Sequence, residues 1–421
     1  MEQIKQIELD SKGPSFHAGT FQKGIALYVH VPFCQSKCIY CDFNTYAGLN
    51  HVIPNYLESL TKDIILWGNF LDHPKVNCVF FGGGTPSLLS SKQLNEILTS
   101  IRSSFDCSAT TEVTAEINPD DVTSSKIDGF LRSGVNRLSI GFQSLDQGLL
   151  QLLSRRHGVE KAVEALEIAR YVGVKNINVD LMYGVPTQSL IQFQETLELV
   201  ASLQPEHISA YGLTVETGTP LEKLINSAQL PDPDPDLAAD MYLHLGSYLS
   251  SWYTAYEISN WALPGRECRH NMTYWKNLPY LGIGPGAHSY LGGYRFSVVD
   301  SPFEYIQKVN TWNNLTPNRI HDGEGSLFSN IPTLNMIERI ELQLEMAETL
   351  TLGMRLANGI KLSEFHDRFG VNLFQPYGDL FQEVINLGLV DYVDEPGQER
   401  VKLSKEGRIL GNQVFWRFFV A

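Results

Sequence analysis

At 421 residues, 43% hydrophobic and 19% charged, the chain is long enough for two or three domains around a large core, and it lacks the ~18-residue apolar run that a membrane span needs. A formal charge of −15 and a pI near 5.2 argue against broad electrostatic binding to nucleic acid. The leader MEQIKQIELDSKGP is polar rather than secretory, so a reducing cytoplasm is the expected compartment and disulfides are not expected among the six cysteines.

From residue 25 to about 213, short β-rich runs alternate with longer amphipathic segments, which predicts parallel βα units. Strands are expected over 25–31, 76–81, 111–117, 136–142, 176–182 and 207–213, with helices over 54–70, 91–104, 158–172 and 188–203 between them. Six such strands predict an α/β fold with an open, partial (β/α)6 barrel over 25–235, preceded by a leader over 1–24. After 214 the beat is lost. LPDPDPD at 230–236 marks a surface crossing, because its prolines suit neither a helix interior nor a central strand. A barrel extension is expected over 236–330, and 331–421 reads as a C-terminal winged-helix-like unit of three helices, two short strands and a last helix.

Directly after the first strand stands CQSKCIYC, with Cys34, Cys38 and Cys41. No nearby fourth cysteine completes a tetrahedral thiolate set, and structural zinc, which takes four protein ligands, is a poor fit. Thiolates suit a [4Fe-4S] cube, and three of them leave one iron free for an outside ligand. Cys78 and Cys107 read as packing thiols.

Polar and glycine residues gather at the C-terminal ends of the expected strands, where βα barrels build their sites. The second strand runs into Gly82-Gly83-Gly84-Thr85-Pro86, the third ends at Glu116, the fourth in Gly141-Phe142-Gln143-Ser144, the fifth contains Asp180, and the sixth ends near Tyr211. Each has a plain structural alternative. Glycines make tight turns, Glu116 can neighbour a helix N-cap, Asp180 can pair with Arg155, and Arg155 or Arg156 can belong to a solvated face.

The cysteine loop and these strand ends together resemble the radical S-adenosylmethionine (SAM) superfamily. YVHVPFC, FFGGGTPS, GFQS and DLMYGVP are similar to the branch that holds oxygen-independent coproporphyrinogen III oxidase and related haem chaperones, over about 27–421. The resemblance implies a [4Fe-4S] cluster on Cys34, Cys38 and Cys41 and a SAM pocket formed by Tyr28, Tyr40, Gly83, Gly84, Thr85, Glu116, Gln143, Arg155 and Asp180. Two departures separate this chain from the oxidase pattern: Phe43 stands where that pattern has a further cysteine, and the leader before Tyr28 is short.

HNMTYW at 270–275 matches the HNxxYW pattern of the chaperone branch. Imidazole is an axial ligand for haem iron, and Tyr274 and Trp275 offer faces to wall a macrocycle. A histidine among aromatics is otherwise a packed core residue; with the resemblance, haem contact is the expectation for His270. Cys268 lacks the C-x-x-C-H spacing of covalent haem attachment, and His30 and His288 are left as either cavity-lining or core residues. The function implied is a haem chaperone that passes haem to respiratory proteins, at the membrane surface, without nucleic acid. A homodimer stays open, and a flavodoxin or ferredoxin is the reductant if SAM is cleaved. The alternative is radical oxidative decarboxylation of coproporphyrinogen III, and a weaker one is a radical enzyme acting on RNA.

Overall fold

The computed structural model describes residues 23–312, 328 and 331–419, so all but the end of the expected leader at 1–24 lies outside the described residues. Strand β1 (Ile25–Val31) is followed by two short strands, β2 (Phe33–Cys34) and β3 (Tyr46–Ala47), that bracket the cysteine loop. Then come α1 (Ile53–Phe70), β4 (Lys75–Gly83), α2 (Ser91–Ser104), β5 (Asp106–Ile117), α3 (Ser124–Ser133), β6 (Arg137–Gln143), α4 (Gln147–Leu152), α5 (Val159–Val172), β7 (Ile177–Tyr183), α6 (Leu190–Ser202) and β8 (His207–Gly212). The expected beat is present, with two helices, α3 and the short α4, that the sequence reading did not pick out.

The strands β1, β4, β5, β6, β7 and β8 pair side by side in parallel, in that order. Alternation along each strand explains the layering. Leu27 and Val29, Val79 and Phe81, Val113 and Ala115, Leu138 and Ile140, Val179 and Leu181, and Ile208 and Ala210 all join one hydrophobic core under the helices. Each buried Val, Leu, Ile or Phe among them contributes about 1.5–3 kcal/mol, and each Ala less. The intervening residues, among them Tyr28, Glu116, Ser139, Asp180 and Ser209, face inward. Ser90 and Ser189 start α2 and α6 with capping boxes closed by Gln93 and Gln192, which fixes where each strand-end loop stops.

Beyond β8 lie α7 (Pro220–Asn226), α8 (Pro235–Leu249), β9 (Thr254–Ala255), β10 (Asn260–Ala262), α9 (Arg269–Trp275), β11 (Tyr280–Ile283), β12 (His288–Leu291), β13 (Tyr294–Val298), α10 (Pro302–Trp312) and β14 (Leu334–Arg339). The proline-acid stretch crosses the surface and then starts α8, with Asp234 as its N-cap. The beat is not wholly lost after 214: β11 lies parallel to β1 as a further strand of the barrel sheet. Antiparallel strands extend both edges, giving a 12-stranded sheet among the described residues. The four-residue β11, YLGI, is too short and glycine-interrupted to show a period.

The rest of the chain forms α11 (Leu342–Gly353), β15 (Ile360–Lys361), α12 (Leu362–Phe369), α13 (Phe374–Asn386), β16 (Val390–Val393), β17 (Arg400–Leu403) and short closing helices. This is the winged-helix order with one strand, β15, more than the sequence pattern suggested; it pairs with β17 in a three-stranded sheet. Its own core holds Met346, Leu350, Phe365, Phe381 and Val401. Strand β14 pairs with β13, so that segment goes with the barrel sheet and not with the small core. Among the described residues no helix is long and apolar enough to cross a membrane.

Candidate cluster and cofactor site

The cysteine loop is pinned at both ends. Thr85 and Gly84 donate backbone N–H to the carbonyls of Phe33 and Val31 at 2.8 Å each, so the glycine turn after β4 lies directly on the loop's first strand. A Cβ on Gly84 would stand 2.6 Å from the Phe33 carbonyl oxygen, and one on Gly83, whose φ is +108°, would stand 2.5 Å from the His30 ring. Close backbone approach and a left-handed φ therefore require glycine at both positions. At its far end the loop is held by Asn44, whose amide donates to the carbonyls of Pro285 and Asp300 at 3.1 and 2.9 Å.

His30 ties these parts together. Its Nε2 lies 2.9 Å from the Asn44 carbonyl oxygen, which can only accept, so Nε2 carries the proton. Burial lowers its pKa and keeps the ring neutral. Nδ1 must then accept, and the Tyr28 hydroxyl donates to it at 3.0 Å. The Tyr28 oxygen is left with its lone pairs for a ligand's donor.

Arg155 reaches into the loop rather than out to solvent. It donates to the Gly141 carbonyl at 2.9 Å, to the Tyr40 hydroxyl at 3.4 Å and to Cys38 Sγ at 3.5 Å. It does not pair with Asp180. Arg156 is no solvated charge either: it bridges both oxygens of Asp121 at 3.2 Å and donates to Gln35 Oε1, inside the cysteine loop, at 2.6 Å. Sequence reasoning missed Arg156 and Asn44 as supports of the site and left His30 as either cavity-lining or core.

Asp180 is fixed from beneath. Ser139 and the Asn178 amide donate to its two oxygens at 2.9 and 2.7 Å. Asn178 Oδ1 in turn accepts from His207 Nδ1 at 2.6 Å, and His207 Nε2 accepts from the Tyr256 hydroxyl at 2.9 Å. Strand alternation carried a signal for Asn178, which sits two residues from Asp180 on the same face. Glu116 stands nearby, and burial, with the Asp180 charge adding, pushes its carboxyl up to about 8 while the Gly83 N–H bonds to it. Gln143 ends β6 at φ +66°, with a register shift between it and Gly141 that re-aims its side chain. Tyr211 keeps 42% of its surface exposed at the end of β8, whose preceding residues are buried.

The three cysteines of the loop lie beside the strand-end turns, with free thiols. Cys34 accepts from the Thr85 hydroxyl at 3.5 Å, matching the Arg155 bond to Cys38. Hydrogen bonds to sulfur are a lever on cluster potential. Burial pushes the Cys34 and Cys41 thiols up. Among the described residues no three His, Cys, Asp or Glu side chains converge as a single ion would require. A cube places a different demand, since each thiolate takes its own iron and the sulfurs stand around the cluster. Phe43, 64% exposed, lies outside this group.

The HNMTYW segment is α9, and it sits deeper in the lumen, towards the N-terminal ends of the strands, where the His270 ring still stacks on that of Tyr28 with centroids 6.0 Å apart. His270 is 2% exposed, stacks on Phe80 with centroids 4.9 Å apart, and has both ring nitrogens engaged: Nε2 with the Tyr274 hydroxyl at 2.9 Å and Nδ1 with Cys78 Sγ at 3.7 Å. Burial, reinforced by Arg137, pushes its pKa down to about 3. The ring is therefore neutral, the form that binds metals, but it is closed off in this arrangement. Trp275 lies beneath the Arg355 guanidinium, 4.6 Å from ring centroid to carbon. Cys268 is buried against Glu112, His30 is in the core, and His288 is exposed at the start of β12.

Residues 28–200 match the Radical SAM superfamily and residues 341–410 the HemN C-terminal domain. Partial barrel, three-cysteine loop and match together define a radical SAM protein, a class whose members use a [4Fe-4S] cluster and SAM. Proteins named heme chaperone HemW from Bacillus subtilis (strain 168) and Lactococcus lactis subsp. lactis (strain IL1403) are 33% and 32% identical over 393 and 400 residues, covering 93% and 95% of this chain and 98% of each relative. The solved structure of coproporphyrinogen III oxidase (HemN) from Escherichia coli, a radical SAM enzyme, aligns with a TM-score of 0.78 over 94% of this chain and 89% of that one. Its 23% identity makes that a likeness of fold. The chain belongs to the heme chaperone HemW family.

Proposed function

We propose that this protein is a haem chaperone: it binds haem, carries a SAM-ligated [4Fe-4S] cluster, and hands haem to haem-requiring respiratory proteins. The observation that carries this reading is the end-to-end likeness to relatives named heme chaperone HemW. In this reading Cys34, Cys38 and Cys41 hold three irons, and SAM, when bound, fills the fourth through its amine and carboxylate and brings its sulfonium to the cluster. The chain's own residues do the positioning. Tyr28 offers an accepting oxygen, Gly83 and Gly84 open backbone to the ligand, and Thr85 supports Cys34. Glu116, Gln143 and Asp180 supply polar contacts on the lumen side, and Arg155 with Tyr40 braces the loop at Cys38.

Haem is assigned to His270, whose neutral imidazole is ligand-competent once Tyr274 gives up Nε2. The cytoplasm, acceptors at the membrane surface, a flavodoxin- or ferredoxin-type reductant if SAM is cleaved, and a homodimer belong to the same proposal. Division into a barrel over 25–235, its extension to 330 and a C-terminal unit after that goes with it, with β14 on the barrel side. Phe43, where the oxidase pattern has a cysteine, weighs against porphyrinogen decarboxylation.

Paired assays on anaerobically reconstituted protein test the reading. Haem titrated by absorbance should bind, and His270→Ala should weaken binding about tenfold or more, the scale of ~1.4 kcal/mol. Coproporphyrinogen III should remain unconverted; formation of protoporphyrinogen IX sinks the proposal.

A further inference from the structure

The helix that carries His270 is seven residues long, and helices shorter than ~12 residues are marginal by themselves, so α9 lies where its ends are held. The barrel holds its N-terminal end. Glu112 of β5 accepts the Arg269 backbone N–H at 3.0 Å, and the Arg269 guanidinium donates to the Thr110 carbonyl at 2.8 Å.

The C-terminal unit holds the other end. Arg368 of α12 donates to the Lys276 and Asn277 carbonyls at 3.2 and 2.9 Å, the free carbonyls just past the last turn. Its guanidinium is aimed by Glu345 of α11, at 2.6 and 3.1 Å. The Asn277 amide donates to Thr349 Oγ1 of α11 at 3.0 Å, and Arg355 covers Trp275. Negative charge at the N-terminus and positive charge at the C-terminus match the helix dipole, but the two charges come from different parts of the chain.

We infer that Arg368 is a positioning residue for haem handling: through it the C-terminal unit holds α9 in a closed setting, in which Tyr274 occupies His270 Nε2, and slackening that grip frees the imidazole. The inference rests on the reading of His270 as haem ligand. Tyr274 precedes Trp275 and lies three residues from Asn277, so a shift of the gripped carbonyls moves its hydroxyl directly. A movement of the C-terminal unit, such as docking of an acceptor, would act at the lumen floor without touching it.

The test uses full-length protein and two readouts. In Arg368→Ala, amide exchange over 270–277 should rise about tenfold or more, as loss of its charge-assisted hydrogen bonds to the two carbonyls allows, with strands β1 and β4–β8 unchanged. Stopped-flow haem uptake should accelerate in parallel, and Arg368→Lys, which keeps the charge but not the fork, should fall between. If Arg368→Ala does not fold, Thr349→Val gives the same exchange readout from the neighbouring bond. Unchanged exchange over 270–277, or looser exchange with unaltered uptake, overturns the inference. Haem binding that is indifferent to His270→Ala overturns the ligand reading beneath it, and the exchange arm still reports whether the grip exists.

Discussion

The two ends of the barrel lumen are built from the same residue types and behave oppositely. At the mouth, Tyr28, Glu116, Gln143, Asp180 and Tyr211 keep part of their surface open and are held from behind, by His30, Ser139, Asn178 and backbone. At the floor, His270, Cys268 and Glu112 are sealed and satisfy one another or α9. Polar groups buried with partners cost little, whereas partly open ones stay accessible to water. On the proposed reading, a ligand at the mouth meets partly open groups, whereas one at the floor meets groups that are already paired.

The sharpest test of that contrast lies in the loop. Replacing Cys34, Cys38 or Cys41 singly with Ser should abolish the broad iron–sulfur absorption of the reconstituted protein while the thermal transition of the apo form changes little, because none of the three belongs to the packed hydrophobic clusters. A full cluster in all three variants would mean the ligands are misassigned. Next in size is Gly84→Ala. Its Cβ would meet two carbonyl oxygens, at 2.6 and 2.9 Å, that accept bonds from the glycine turn itself. Overpacking of this kind costs about 1–3 kcal/mol. Urea denaturation should show that loss, together with weaker SAM binding to the reconstituted protein. At the floor, Glu112→Gln replaces a charged acceptor of the Arg269 N–H by a neutral one, so a smaller loss of about 1 kcal/mol is expected. SAM affinity should not change, and an equal fall in SAM affinity would erase the distinction between the two ends.

Much of the mouth was legible because its signals are local. A period-2 apolar pattern sets each strand, turn chemistry sets each loop, and the chemistry-bearing residues fall at strand ends. The same alternation carried a signal for Asn178, two residues from Asp180 on one face, which the reading of the sequence did not use. What lay beyond reach was long-range: Arg156 closing on Gln35, Asn44 on the 285–300 segment, and Arg368 on the end of α9 are contacts between distant stretches that leave no periodic trace. The floor was hardest to read. HNMTYW announces aromatic and imidazole chemistry, but the seven-residue α9 has too few positions to reveal which face it buries, and the pairing of His270 with Tyr274 depends on the lumen around it. Strand β11 escaped for a related reason, since it owes its place to pairing with β1.

The contrast extends to protons. Behind the mouth, Tyr56 of α1 donates to the His30 carbonyl at 2.6 Å, and Asp63 of the same helix accepts from the Tyr305 hydroxyl of α10 at 2.7 Å. Burial pushes the Asp63 carboxyl from 3.8 up to about 7, and on the floor His270 is pushed from 6.5 down to about 3. Between pH 3.8 and 7 the folded state holds a proton on Asp63 that the unfolded state has lost, so this contribution to stability is full below 3.8 and disappears as pH rises through 7. Between pH 3 and 6.5 the unfolded state holds a proton that His270 refuses, so its contribution is full above 6.5 and disappears as pH falls through 3. Each is on the order of a few kcal/mol, and in the overlap they oppose each other, flattening the wild-type profile. Asp63→Asn should therefore make apo-protein stability climb more steeply from pH 4 to 6.5 in urea titrations, whereas His270→Asn should make it fall over the same range. Parallel profiles for the two variants would show that backing and floor do not titrate in opposite senses, and the division of the lumen into an open end and a sealed end would lose its electrostatic basis.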